Sequence, residues 1–257
     1  MRRASANRSS RILLKGFFVA MAIGCAGEHV EWNETSYAAP PLPSGIPLGT
    51  VQPAGAGCPA SVRAVRVGGA MFAAWWAVKR DSSAALVVAG SDDGGMSWAR
   101  PVMADSTDAS VRGCGRPPPA VAADSASGYL HIAYFAEPRS GSGVFFVHSM
   151  DGGKTFHASV PIVFGDNPAF VSVAASGDHV AVAYEDPNSV EPSVGIALSR
   201  TTGHIFEHRE IVSSDNERAR QPTVALRGDT MRVWWTDYAA DPRISATRTA
   251  FRAGVWR

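Results

Sequence analysis

Two arginines and a set of acid-proline steps hold the side chains of this chain best suited to chemistry. Arg116 stands in Arg116-Pro117-Pro118 and Arg220 in Arg220-Gln221-Pro222. Carboxylates come from Glu137-Pro138-Arg139, from Glu185-Asp186-Pro187, and from Asp237-Tyr238 followed by Asp241-Pro242. A guanidinium keeps its charge and offers a planar fork of donors, so a ring of arginines and carboxylates can hold a polar or anionic ligand. The same residues also read as turn chemistry, because an acid before proline starts a turn. Both readings stay open here. The sequence holds no G-x-S-x-G, no H-E-x-x-H and no C-x-x-C pair. Its seven histidines are scattered, with His131 and His179 on strand-like runs, so packed or exposed imidazoles are expected rather than metal ligands. No cofactor and no metal are expected.

The elements that must position these residues are short strands. Met71-Ala73-Trp75, Leu130-Ile132-Tyr134, Val180-Val182-Tyr184 and Met231-Val233-Trp235 each put three apolar side chains on one face by strict alternation. That face is expected to pack on the next unit. The closing aromatics Trp75, Tyr134, Tyr184 and Trp235 recur at steps of 59, 50 and 51 residues. Third strands follow at Leu86 to Ser91, Val144 to Ser149, Val194 to Ser199 and Ile244 to Thr249. Four strand-like runs per period of about 50 residues describe propeller blades.

Between the third and fourth runs lies a turn with a fixed pattern. Ser91-Asp92-Asp93-Gly94-Gly95-Met96-Ser97-Trp98 recurs as Ser149-Met150-Asp151-Gly152-Gly153-Lys154-Thr155-Phe156. Glycine supplies positive φ, and the aspartate accepts hydrogen bonds from the turn's own amides. A third copy, Ser199 to Phe206, has lost its aspartate, and a fourth is barely recognisable.

The pattern Ser-x-Asp-x-Gly-x-Ser/Thr-aromatic resembles the Asp box, or BNR repeat, of sialidases and related bacterial β-propellers. The resemblance implies an all-β fold: a β-propeller-like array of four-stranded blades with Asp-box hairpins. Four repeats are visible where sialidases usually have six, so closure of the ring is open. Either the N-terminal segment supplies a missing strand, or the domain is incomplete. In such propellers the Asp boxes point away from the substrate face. Ser91, Asp93, Gly95, Trp98, Ser149, Asp151, Gly153 and Phe156 are therefore expected to be structural, with no calcium role for Asp92, Asp93 or Asp151. Arg116, Arg220, Glu137, Glu185, Asp186, Asp237 and Tyr238 would gather on the opposite face.

Sialidases use three arginines on the substrate carboxylate, a Tyr nucleophile assisted by Glu, and an Asp acid/base. They also carry a Phe/Tyr-Arg-Ile-Pro signature. Here the equivalent stretch is Gly57-Cys58-Pro59-Ala60, with Arg63 and Arg66 following. Arg116 and Arg220 can stand in for two of the arginines, and Tyr184, Glu185 and Tyr238 fall in the corresponding loops. With the signature missing and no catalytic residue fixed, the resemblance implies a non-catalytic module that binds a glycan or a surface protein. The alternatives are an exo-sialidase-type glycoside hydrolase and a scaffold without a small ligand.

At 257 residues, with net charge +1 and 18% charged residues, the chain gives no basis for nucleic-acid binding. Residues 1–24 read as a signal peptide: Arg2, Arg3, Arg8, Arg11 and Lys15 precede a short apolar core from Phe17 to Ile23. Gly24-Cys25 resembles a bacterial lipoprotein site, with Ala22 where Leu is usual; a plain signal peptide is the alternative. Residues 25–57 read as an anchor region and a Pro/Gly-rich tether, and 58–257 as the propeller-like domain. The expected location is a membrane-anchored lipoprotein at the outer membrane or cell surface, otherwise periplasmic or secreted, with membrane contact through the anchor alone. In that oxidising setting Cys58 and Cys114 either pair or remain two thiols. If Cys25 carries lipid, Cys25→Ser releases the protein from the membrane fraction or blocks its maturation. Equal retention of mutant and wild type on fractionation would remove the lipoprotein reading.

Overall fold

The computed structural model describes residues 30–38, 53, 56–227, 230–240 and 245–251. The signal peptide, Cys25, most of the tether and Asp241-Pro242 lie outside the described residues. Four antiparallel four-stranded sheets form four blades. Blade I is β2 (Arg63–Val67), β3 (Ala70–Val78), β4 (Ala84–Ser91) and β5 (Val102–Asp105). Blade II is β6 (Ala120–Ala123), β7 (Leu130–Ala136), β8 (Gly143–Ser149) and β9 (Val160–Phe164). Blade III is β10 (Val171–Ser176), β11 (His179–Glu185), β12 (Val194–Ser199) and β13 (His208–Ile211). Blade IV is β14 (Ala219–Arg227), β15 (Thr230–Asp237) and β16 (Ser245–Phe251), and its fourth strand is β1 (Ser36–Ala38) from the other end of the chain.

Strand β1 pairs with β16 in the register Ser36↔Thr247 to Ala38↔Ser245. The N-terminal segment thus covers an edge that would otherwise expose a row of unpaired backbone groups. It is fastened further by Trp32, which bridges to Ala250 and donates from Nε1 to Glu210 at 2.6 Å, and by Val30 in the core between blades III and IV. The inner strands β2, β6, β10 and β14 pack side by side in that order. Among the described residues no comparable packing joins β14 to β2.

Both faces of β7 and β11 are buried, whereas β15 buries only the face of Met231, Val233 and Trp235, and this decides how the blades stack. Leu130, Ile132 and Tyr134 meet Ala74, Trp76, Leu86 and Val88 of blade I. On the other side of β7, Ala133 and Phe135 join Val180, Val182 and Tyr184 of blade III. Met231, Val233 and Trp235 pack on Ala181, Ala183, Ile196 and Leu198. The alternating bulky face therefore packs on the preceding blade rather than the next one. The face toward the next blade holds alanine at its centre, Ala74 in β3, Ala133 in β7 and Ala181 with Ala183 in β11, flanked by Trp76 in β3 and Phe135 in β7. Among the described residues no blade precedes blade I, and its Met71, Ala73 and Trp75 form a separate buried group with Val62, Val87 and Trp98.

The turns after β4 and β8 are built by their own side chains. Asp93 accepts from the Ser91 hydroxyl (2.8 Å), the Ser97 amide (2.9 Å) and the Ser97 hydroxyl (2.6 Å), while Gly95 N–H donates to Ser91 Oγ. Asp151 repeats the set with Ser149, Lys154 and Thr155. Donation from the Ser97 hydroxyl, above all, pushes the Asp93 carboxyl down to about 2. The Thr155 hydroxyl likewise holds Asp151 below the usual carboxylate range. In the third turn Thr201 replaces the aspartate, bonding Ser199 Oγ and the Ile205 amide. Gly203 is retained there at φ +91°, with the Phe146 ring where a Cβ would stand.

A disulfide joins Cys58, ahead of β2, to Cys114, ahead of β6, with Cα atoms 5.3 Å apart and a sequence separation of 56. It ties the entrances of blades I and II. Closing a loop of this length restricts the unfolded chain by up to about 4 kcal/mol. The double variant Cys58→Ser/Cys114→Ser is expected to fold but to lose about 2–4 kcal/mol of unfolding free energy, read from urea denaturation of oxidised protein.

Candidate functional site

The loops sort onto two ends of the blades. The patterned turns link β4–β5, β8–β9 and β12–β13. The loops entering β6, β10 and β14, and those leaving β3, β7, β11 and β15, lie at the opposite end and carry the arginine and carboxylate candidates. Two cavities belong to this architecture. The larger, about 460 Å³, is walled by all four inner strands, with Arg63 of β2 among small residues such as Ala122, Ala174 and Ala225. The smaller, about 310 Å³, lies among Asn167, Pro168, Glu185, Asp186, Ser189 and Arg220.

Glu185 is the centre of the smaller site. It ends β11, and its carboxylate accepts from Gln221 N–H (2.9 Å) and Phe170 N–H (3.4 Å), linking the entrances of β14 and β10. Gln221 has φ +55°, a conformation uncommon for a residue with a side chain, inside a register break between Arg220 and Thr223. Such a bulge re-aims its neighbours. Here Arg220 projects with 49% of its side chain exposed, its guanidinium 3.9 Å from Glu185. Burial pushes the Glu185 carboxyl up, and the Gln221 and Phe170 amides and Arg220 offset part of this. Asp186 holds the next turn, accepting from Asn188 N–H and the Ser189 hydroxyl. The cavity thus pairs one half-exposed cation with a protected carboxyl and a serine hydroxyl.

The remaining candidates have other roles. Arg116 is buried: it pairs with Asp108 at 2.5 Å, lies over the Trp76 ring, and donates to the carbonyls of Ser82, Ser110 and Gly113. With its donors used internally it cannot serve a ligand, contrary to the expectation from sequence. Glu137 is taken by Arg112, at 2.5 and 2.9 Å, and the Arg112 guanidinium holds its carboxyl below the usual range. Asp237 is buried and accepts from the Ala239 amide of its own loop and from the Arg218 amide ahead of β14. Tyr238 is exposed but does not line the Glu185 cavity.

Neither buried tyrosine suits a nucleophile. Tyr184 is packed between blades II and III with its hydroxyl pushed up to about 12 by burial, and Tyr134 donates to Asp105. Sequence reasoning did not single out Asp108, Ser189 or Asn167, which become significant only through contacts far along the chain. Arg63 was noted only as following the missing signature. It is half-buried in the central cavity and donates to the Ala60 and Val62 carbonyls. The histidines are not all scattered in space: His148, His157 and His204 converge on the turn side.

No family model and no curated protein sequence matches the chain. Solved structures do match its fold. The Hadza microbial sialidase Hz136 superposes with a TM-score of 0.51 at 16% identity, over 69% of this chain and 42% of that one. The NanB sialidase from Streptococcus pneumoniae gives 0.53 at 9% identity, over 82% and 53%. A protein of unknown function from Dyadobacter fermentans gives 0.52 at 16%, over 72% and 51%. The fold is sialidase-like, and the chain spans about half the length of these neighbours.

Burial separates the two arginines in a way that stability measurements read directly. Arg116→Ala strands Asp108 as an uncompensated buried charge and is expected to cost about 3–5 kcal/mol of unfolding free energy. Arg220→Ala, at a half-exposed site, is expected to shift it by less than about 1 kcal/mol. Parallel urea titrations compare the two.

Proposed function

We propose that the chain is an exported, non-catalytic carbohydrate-binding module that takes an acidic glycan at the cavity between Arg220 and Glu185. The observation that carries this reading is the re-aimed, half-exposed Arg220 guanidinium at the mouth of a cavity on the loop face. A guanidinium gives a sugar carboxylate or sulfate two parallel donors, and the exposed Asn167 side chain adds a neutral partner suited to sugar hydroxyls. The sialidase-like fold supports the choice of a glycan by analogy, since fold alone does not fix activity.

The non-catalytic part rests on what lines the cavity. Among the described residues it presents one arginine and no tyrosine. A retaining mechanism of the sialidase type needs a tyrosine made nucleophilic by a nearby carboxylate. Tyr184 directly precedes Glu185, yet it points into the blade interface. Export through the N-terminal segment and attachment at Cys25 complete the proposal, which places the module on a membrane surface.

The soluble domain is expected to bind a sulfated or sialylated oligosaccharide and to leave an aryl sialoside intact. Arg220→Ala should weaken binding about tenfold or more, the loss of a charge-assisted hydrogen bond, and Arg220→Lys should restore only part of it. Glu185 has a raised pKa, so it gives up its charge at a higher pH than an ordinary glutamate. Binding of an anion that stays ionised should therefore tighten as pH falls through that range, and Glu185→Gln should flatten the dependence. Isothermal titration across pH checks both. Turnover of the sialoside, lost in Arg220→Ala, would favour the hydrolase instead.

A further inference from the structure

We propose that His148, His157 and His204 form a binding site for a first-row transition-metal dication, Zn²⁺ fitting best, on the turn side between blades II and III. One ligand-capable nitrogen from each lies within 4.8 Å of the others. Three strands of argument support a site rather than a chance meeting of rings.

The first is how the three are placed. His148 is the last residue but one of β8, and the chain returns after the turn so that His157 N–H donates to the His148 carbonyl at 3.0 Å. This backbone pairing sets the two rings side by side, with centroids 4.4 Å apart. His204 comes from the neighbouring blade, in the turn after β12, and its ring stands 4.5 Å from that of His148 and 5.2 Å from that of His157. The equivalent position in the other two turns holds Met96 and Lys154. The site thus bridges two blades, and no single repeat could make it.

The second is the hydrogen-bond state of the rings. His148 is 1% exposed, and neither of its ring nitrogens has a hydrogen-bond partner. Leaving a buried donor and acceptor unmade is costly, and a metal would take up one of them. His204 Nδ1 lies 2.8 Å from the Thr201 carbonyl. A carbonyl only accepts, so Nδ1 carries the proton and Nε2 keeps its lone pair. A backbone carbonyl on the far nitrogen is the arrangement that orients metal-binding imidazoles.

The third is the chemistry of the set. Imidazole suits zinc, copper and nickel rather than magnesium or calcium, which require oxygen. The His148 and His157 rings are stacked at 17°, so tetrahedral zinc at about 2.0–2.1 Å from each nitrogen needs the His157 ring to turn out of the stack and the His204 ring to close on it. His157 and His204 are exposed and free to make these movements. Packed behind His148 are the Phe146 and His131 rings, centroids 5.8 and 6.3 Å away, which wall off that side. No Asp, Glu or Cys joins the three among the described residues. The site would therefore leave its fourth position to water, facing solvent on the end of the blades opposite Arg220 and Glu185.

The test uses untagged, metal-stripped protein titrated with Zn²⁺ by calorimetry and with Co²⁺ by visible absorption. One Zn²⁺ per chain is expected, with an intense tetrahedral Co²⁺ band. Melting temperature should rise by about 5–10 °C at a hundredfold excess of Zn²⁺ over its Kd, reversibly with chelator. His157→Ala and His204→Ala, both at exposed positions, should each weaken Zn²⁺ binding at least tenfold while leaving the metal-free melting temperature in place. Absence of stoichiometric binding by the wild type, or binding by His157→Ala/His204→Ala as tight as that of the wild type, would overturn the site.

Discussion

The two middle blades, II and III, bury both of their faces, and that constraint governs the rest of the molecule. A sheet sandwiched between two others must offer large side chains to one neighbour and receive large side chains from the other. Strand β7 does this with Leu130, Ile132 and Tyr134 on one side and Ala133 and Phe135 on the other. Strand β11 does it with Val180, Val182 and Tyr184 against Ala181 and Ala183. Interiors pack nearly as densely as crystals, so an added methylene on an alanine face is felt by the whole stack. Because the stack fixes where each strand begins and ends, it also fixes where every loop residue stands.

The functional geometry follows from that stacking at the blade ends. Glu185 closes the junction between blades III and IV by accepting amides from both β10 and β14 entrances. The same junction forces the bulge at Gln221 and turns Arg220 outward. At the junction of blades I and II the outcome differs: Arg116 folds inward on Trp76 and Asp108 and becomes a strut. Two arginines in similar sequence contexts thus end up differently placed, Arg116 buried on a close Asp108 and Arg220 half-exposed beside a more distant Glu185.

The two ends of the blades carry chemistry of different kinds. The loop end gathers charge around small cavities, while the turn end is built on self-contained hydrogen-bonded hairpins. Those hairpins hold their shape through Asp93 and Asp151, whose carboxylates satisfy amides within a few residues. In the third hairpin the hydroxyl of Thr201 does a similar job, and the turn presents His204 toward its neighbour.

The sequence by itself determined what depends on near neighbours in the chain. Strict alternation marked the middle strands, Ser-x-Asp-x-Gly marked two turns, and the repeat spacing gave four blades. All of these rest on period-two side-chain geometry and on hydrogen bonds spanning four residues or fewer, which local residue types dictate. Tertiary structure alone decided what depends on distant partners. The final blade takes its outer strand from Ser36–Ala38 because β16 needs an edge partner; the repeat count left a strand from the N-terminal segment as one of two outcomes, and the pairing with β16 decided it. Arg116 is consumed because Asp108 and Trp76 close around it. Arg220 is left half-exposed because Glu185 spends its best hydrogen bonds on backbone amides. His148 meets His204 only because two blades stack in one register, a long-range packing outcome that no local pattern encodes.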